Sequence, residues 1–371
     1  MNADFMNHFE SIPDPRIERC KRHQLLDILF LSISAVLCGA EGWEEIEDFG
    51  HARLDWLRRY FPFENGIPKH DTIARVLSRL NPEALQSSFI SWVQTASEIA
   101  DGEIIAIDGK TVRRSFQKGD RKSAIHMVSA WACRNGMVLG QQKVDSKSNE
   151  ITAIPALLEL LDIKGSIVTI DAMGTQTAIA QSIVDKGADY VLALKGNQGT
   201  LNEEVRYLFD NPLPRSLTEQ VSEERIEIEH GRIESRRYRQ IVLTPTTLPA
   251  MEGWKNLKSV VEVQSIRDDG KTCSKEKRFY ISSCLLNVDV VSNAIRRHWA
   301  VENSLHWVLD VTYREDESRI RRGTGAEVMS VLRRLTLNLL KMNTTSKASL
   351  KRKRKIAVMD DKLRSEIIAG I

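Results

Sequence analysis

The 371-residue sequence predicts an α/β fold, built on a mixed sheet with an N-terminal helical domain and a β-rich insertion. Three observations carry this prediction. Residues 1–100 show helical periodicity. From Glu103 onward, short β-branched runs alternate with helical segments, as in an α/β layer. Between about residues 212 and 285 the helical period gives way to strand-like runs separated by turn residues. The chain therefore divides into a helical domain at 1–100, an α/β domain at 101–342 that carries the insertion, and a basic tail at 343–371.

The first hundred residues open with the apolar run Leu25 to Leu37, punctuated by Gly39 and Gly42. Trp43 to Tyr60 is amphipathic, with Trp43, Ile46, Phe49, Leu54 and Leu57 at helical spacing. Asp71 or Thr72 is placed to cap a helix carrying Ile73, Val76, Leu77 and Leu80, and Asn81-Pro82 starts another that runs to about Ile99. Helical pairs joined by short turns are one way to enter a DNA groove, and a plain scaffold is the equal alternative. Glu103 to Asp108 then reads as a buried strand. Ile125 to Cys133 and Met137 to Val144 form a hairpin around Asn135-Gly136. Ile151 to Leu161 is a helix, Ser166 to Asp171 a strand, Gln176 to Lys186 a helix and Tyr190 to Leu194 a strand. After a helix from Leu201 to about Asp210, two hairpins follow: Val221 to Glu229 with Ile233 to Leu243, and Leu257 to Ile266 with Lys277 to Ser282. A last helix spans about Glu327 to Lys341.

A hydrophobic content of 42% and a charged content of 28% are those of an ordinary globular protein, with a net charge of only +3. The positive charge is clustered, however. From Lys341 to Lys355 there are seven Lys or Arg and no acid, and Arg16 to His23 and Arg319 to Arg322 are also basic. Such clusters suit a polyanion-binding surface, or a solvated tail. The five cysteines are scattered without a CxxC pair, which argues against a disulfide framework or zinc ribbon and points to a reducing cytoplasm. The longest apolar stretch, Ile28 to Ala40, is too short for a membrane span, and no signal peptide is recognisable.

The chemistry concentrates around Glu302. At helical spacing His298, Glu302 and His306 fall on one stripe, in a helix rich in Trp, Leu and Val. Asp108 and Asp171 each end an apolar run, followed by the small residues Gly109 and by Ala172 and Gly174. Ligands of open α/β layers bind outside the carboxyl ends of strands. Three carboxylates from three elements suit a divalent-metal site of the Mg²⁺ kind, with Mn²⁺ as a substitute, rather than Zn²⁺. Two ions bridged by a shared aspartate would serve an in-line phosphoryl transfer. Asp310, Glu315, Asp316 and Glu317 are competing acids that periodicity leaves open.

Several stretches, in order, carry a resemblance: Ile12-Pro13-Asp14-Pro15-Arg16, Cys38 to Trp43, Gly66 to Thr72, Ala106 to Thr111, Thr169 to Gly174, Leu194 to Gln198, His298 through Val311, and Glu315 to Gly323. Over nearly its whole length the chain resembles the DDE transposases of bacterial insertion sequences, in the H-repeat-associated (Rhs-linked) branch. The resemblance implies a ribonuclease H-like catalytic core, a metal-binding triad of Asp108, Asp171 and Glu302, and a β-rich insertion between the second and third acids. The separations, 63 (171 − 108) and 131 (302 − 171) residues, leave room for it. One departure is visible. Where many relatives have Tyr-x2-Arg-x3-Glu-x6-Lys, this chain has Ile295, His298, Glu302 and Leu309, so only the glutamate matches.

These readings together predict a DNA transposase that cleaves element ends and joins the freed 3′ hydroxyl to target DNA. Its partners would be double-stranded DNA and further copies of itself, with no membrane and a cytoplasmic, nucleoid-associated location. Lys110, Lys195, Arg297, His298, Arg321 and Arg322 are the candidate DNA contacts. The rival readings are a ribonuclease H-like nuclease without strand transfer and a domesticated DNA-binding protein that mobilises nothing.

Overall fold

The computed structural model describes residues 3–116, 123–145, 148–229, 232–270 and 272–370. Four helices come first: α1 (Leu25–Leu37), α2 (Trp43–Leu57), α3 (His70–Leu77) and α4 (Pro82–Ala96). Nearly every residue of α1 is buried, which accounts for its apolar character on all sides. The Asn81 side chain caps α4 as its sequence suggests, accepting from the Ala84 amide at 2.8 Å. The cap expected from Asp71 or Thr72 is not made. The residue before α3 is Lys69, and Asp71 lies inside the first turn, where its charge favours the helix dipole instead.

The α/β layer contains β1 (Ile104–Thr111), β2 (His126–Ala132), β3 (Met137–Lys143), α5 (Glu150–Leu160), β4 (Ile167–Ile170), α6 (Thr177–Asp185) and β5 (Asp189–Leu194). The β2–β3 hairpin turns at Gly136, whose φ of 65° is the left-handed conformation that glycine adopts without strain. β1 pairs antiparallel with β2 and parallel with β4, and β4 pairs parallel with β5. Parallel neighbours need a crossover, and α6 supplies the one between β4 and β5.

After α7 (Gly199–Asp210) come β6 (Glu219–Val221), β7 (Arg225–Glu229), β8 (Arg232–Val242), β9 (Ser259–Asp268) and β10 (Cys273–Ser282). The first hairpin arm, expected as one strand, is split into β6 and β7, both antiparallel to β8. Residues 230 and 231, between β7 and β8, lie outside the described residues. The insertion does not form a sheet of its own. β10 pairs antiparallel with β5, so the described strands form one ten-stranded sheet in the order β3-β2-β1-β4-β5-β10-β9-β8-β6, with β7 beside β8.

The chain then returns across this sheet as α8 (Val288–His298). Val288, Val291, Ala294 and Ile295 bury themselves on Ile104, Ile167 and Val191 of the first strands and on Tyr238, Val261 and Tyr280 of the inserted ones. The inserted strands also satisfy the start of α8. Gln240 Oε1 accepts from the Asn287 amide and Gln220 Oε1 from the Val288 amide, both at 2.9 Å.

Beyond α8 lie a π-helical turn (Glu302–His306), α9 (Trp307–Val311), α10 (Gly325–Met342), α11 (Leu350–Met359) and α12 (Asp361–Ala369). The basic segment 343–371 is therefore two packed helices rather than a solvated tail. Lys351, Arg352 and Lys355 stay exposed, whereas Lys353 and Arg354 turn inward to helix C-termini, which leave carbonyls without partners. Arg354 donates to the carbonyls of Val36 and Leu37 at the end of α1, at 2.8 and 3.3 Å. Lys353 donates to the Leu340 carbonyl near the end of α10, at 3.1 Å. One buried cluster joins all these parts: Phe9, Leu31 and Trp56 belong with Ile107 and Val138 of the sheet, Leu335 of α10 and Ile367 of α12.

Candidate active site

Asp108 does not end its strand, as its sequence context suggests. β1 continues through Thr111 against β2, while its parallel pairing with β4 stops at Ile107 opposite Ile170. The next residue on each strand is an aspartate, so register sets Asp108 and Asp171 side by side where the parallel pairing ends. Asp171 Oδ1 accepts from the amides of Met173 and Gly174 at 3.0 and 3.2 Å, a local turn that fixes the carboxylate. Asp108 Oδ1 accepts from the Gly109 amide at 2.9 Å.

Glu302 arrives from the other side of the sequence. His298, Glu302 and His306 were expected on one regular helical stripe, but the helix widens into the π turn between Glu302 and His306. His306 is buried, and its Nδ1 lies 3.3 Å from Glu302 Oε2 and 3.6 Å from Asp108 Oδ2. One ligand atom from each of Asp108, Glu302 and His306 falls within 4.8 Å of the others. π turns of this kind frequently occur at functional sites. With Nδ1 protonated, the neutral imidazole donates to Glu302 and lies beside Asp108. Burial and the nearby Arg334 both oppose a charge on His306. His298 is not part of this group. Its Nδ1 lies 3.0 Å from Thr169 Oγ1, and burial holds its pKa down at about 4, so it is neutral and cannot attract phosphate as a cation.

Asp108 is the electrostatic centre. Burial first, then the carboxylates of Glu150, Asp171 and Glu302, push its pKa up to about 7, against the opposing hydrogen bond from Gly109. A group of oxygen donors that repel one another in this way is the donor set a hard divalent cation fits.

Glu150 and His126 escaped the sequence reading. Glu150 Oε1 lies 2.6 Å from His126 Nε2, and His126 Nδ1 lies 2.8 Å from Thr111 Oγ1. The pair crosses Gly109 so closely that a Cβ there would sit 2.2 Å from Glu150 Oε1 and 2.4 Å from His126 Nε2. Neither residue stands in a recognisable motif. The helix start at Asn149-Glu150, where Asn149 caps, was the available signal.

Lys110, a candidate DNA contact, is engaged by carboxylates. Its buried ammonium lies 2.7 Å from Asp310, 2.9 Å from Asp316 and 3.9 Å from Glu315. Three of the competing acids are thereby assigned to ion pairs. Glu315, fully buried, is also 3.0 Å from Arg334, and its carboxyl is held below the usual range because Arg334, Arg333 and Lys110 outweigh its burial. Glu317 instead pairs with Arg314 at the surface. Arg297 Nε donates to Asn293 Oδ1 at 3.1 Å, and Arg321 Nε to the Arg114 carbonyl at 2.9 Å. Lys195 and Arg322 are exposed.

Comparison with known proteins adds the family. The family model of the Transposase DDE domain matches residues 99–339, and that of the DDE_Tnp_1-associated family matches residues 6–93. The chain is 48% identical to "Putative transposase YncI" of Escherichia coli O157:H7, over 98% of this chain and 94% of that protein. It is 45% identical to "H repeat-associated putative transposase YhhI" of Escherichia coli strain K12, over 98% and 97% of the two chains. A piggyBac transposase in a synaptic complex with hairpin DNA aligns with 95% of this chain and 75% of its own, at 11% identity and a TM-score of 0.42, too distant to carry an argument.

Proposed function

For a chain that belongs to the Transposase DDE domain family, we propose metal-dependent cleavage of DNA followed by strand transfer, with Asp108, Asp171 and Glu302 as the acidic triad. One observation carries the assignment: the register of β1 against β4 brings two aspartates together, and the π turn brings Glu302 and His306 against the first of them. The order β3-β2-β1-β4-β5, with β2 alone running against the other four, supports a ribonuclease H-like core.

The three acids and the raised pKa of Asp108 fit Mg²⁺ or Mn²⁺, which when bound here would activate the attacking oxygen and stabilise the leaving one. The chain's own residues prepare the place. Gly109 leaves its position free of a side chain and donates its amide to Asp108. His306 donates from Nδ1 to Glu302 while lying beside Asp108. Lys110 ties the strand bearing Asp108 to the segment that follows α9, so the two arms of the site keep their separation. Duplex DNA would be the substrate, and two copies of the chain would hold the two ends that must be joined.

The test uses Asp108→Asn, Asp171→Asn and Glu302→Gln, on DNA carrying the inverted repeats that flank the gene. Each change is expected to lower Mg²⁺- or Mn²⁺-dependent cleavage by roughly 10²–10³-fold or more while DNA binding persists. Full cleavage by any one variant removes that residue from the triad. Cleavage by the unaltered protein with no joined product would leave a nuclease in place of a transposase.

A further inference from the structure

A cavity of about 560 Å³ opens among the N-terminal helices, away from the acidic triad. Its lining includes Arg16, Arg22, His23, Lys69, Arg75 and Arg79, and no acid. Two of these cations are already engaged: Arg16 with Asp14 at 2.7 Å and Lys69 with Glu47 at 2.8 Å. The side chains of Arg22, Arg75 and Arg79 are exposed and have no carboxylate partner among the described residues. The chain carries 50 acids for its 53 lysines and arginines, and many arginines elsewhere are paired, so this gathering is not a by-product of composition.

A second observation points to a ligand. The Arg16 side chain is only 9% exposed, and its Nη1 is buried without a hydrogen-bond partner. A buried guanidinium nitrogen left unmatched is costly, so a small shift of the Arg16 side chain toward an anion in the cavity would be favoured. The field in the cavity is positive as well: after burial, Arg22 and Arg16 are among the causes that lower the His23 pKa.

The end of α3, beside the cavity, is also bonded to a segment that leads from the active site. The segment after the buried Glu315 runs back to the end of α3, where Thr324 donates its amide to the Ser78 carbonyl at 3.0 Å and its hydroxyl to the Leu80 carbonyl at 2.9 Å. Along that segment Arg319 and Arg322 are exposed, and Arg321 is bonded to the Arg114 carbonyl, six residues beyond Asp108. Exposed arginines therefore occur both on α3 and its end (Arg75, Arg79) and on the segment between Glu315 and Thr324 (Arg319, Arg322).

We propose that this cavity is a phosphate-binding site for the backbone of duplex DNA, held by Arg16, Arg22, Arg75 and Arg79 and continued toward the triad by Arg319 and Arg322. It deepens the transposase reading by naming where the substrate is held outside the reacting centre, and it rests on that reading for the choice of DNA.

The experiment measures binding of a random-sequence duplex to the full chain in EDTA across a salt series, so that cleavage plays no part. Arg75→Ala with Arg79→Ala is expected to make the plot of log affinity against log salt shallower by about 2 and to weaken binding at least roughly tenfold. Arg75→Lys with Arg79→Lys should retain most of the slope, which separates lost charge from a damaged fold. An unchanged slope in the alanine variant overturns the proposal. So does an unchanged duplex affinity accompanied by lost binding of inorganic phosphate, because the site would then serve a small anion. Duplex binding that responds as expected in a protein that cuts nothing would sustain this inference and sink the catalytic one.

Discussion

Gly109 shows how tightly the residues around the triad are fitted. Any side chain there collides with Glu150 and His126, so Gly109→Ala must displace one of them or move Asp108. Overpacking of this kind costs about 1–3 kcal/mol, and here the displacement falls on the strand that carries the acid. A modest fall in melting temperature with a large loss of cleavage is expected. Unimpaired cleavage would mean that the crossing of Glu150 and His126 over this glycine is unimportant. His298 makes a different prediction. Its folded pKa of about 4 lies below the ordinary 6.5, so between these values the unfolded chain binds the extra proton. Its contribution to stability is complete above about pH 6.5 and is lost as the pH falls toward 4. His298→Gln should therefore flatten the pH dependence of thermal unfolding across that window, and an unaltered slope would contradict the assignment. At this scale the sequence was partly legible. Asp108 and Asp171 stood out because each follows an apolar run. Lys110 looked like a phosphate ligand because a sequence displays a cation's charge and conceals the carboxylates that meet it. Glu150 and His126 stand 24 residues apart and become partners only through the packing of α5 beside β2.

Among the elements, the π turn determines where Glu302 points relative to the helix that follows. One additional residue in the turn changes the rotation between α8 and α9, so a regular helix of the same sequence would direct His306 elsewhere. Deleting the exposed Asn303 should restore α-helical geometry and remove the widened turn that sets Glu302 against His306. Loss of cleavage with retained helix content is expected, and an active deletion variant would show that the turn is dispensable. The start of α8 offers a milder probe. Asn287→Ala removes a side-chain acceptor for the Val290 amide and should cost about 1 kcal/mol, read as a lower denaturant midpoint. Most helices and strands were legible from periodicity, usually to within a few residues. The π turn was not, because apolar spacing around Glu302 fits an ordinary helix. Nor were the helices at 350–369, where charge dominated the reading although Arg354 and Lys353 are consumed by helix-end carbonyls.

For the molecule as a whole, the shared core predicts cooperative unfolding. Truncation after Met342 would strip Leu363, Ile367 and Ile368 from the cluster that holds Trp56 and Leu31, and would release the bond from Trp56 Nε1 to Ser365. The lost burial of these three side chains amounts to about 5–9 kcal/mol, enough to unfold the N-terminal helices or the whole chain. The full chain should melt in a single transition; two separated transitions would show that residues 1–100 hold together on their own. Sequence pattern divided the chain into a helical domain, an α/β domain and a tail because composition changes at those places. Which surfaces meet is not written in composition. The same holds for the insertion, whose strands were read correctly as hairpins while their docking onto β5 through β10 depends on residues more than 80 positions apart, such as Phe279 and Leu194.

That docking has a mechanical consequence. An inserted module on a flexible stalk would swing like an arm, and anything it grasped could lie at many distances from the acids. Here backbone hydrogen bonds run without a break from β1 to β8, and α8 is braced across both halves. Under the proposed function the insertion would act as a ruler: a strand of substrate touching its outer end would lie at a set distance, in ångströms, from the bond to be cut.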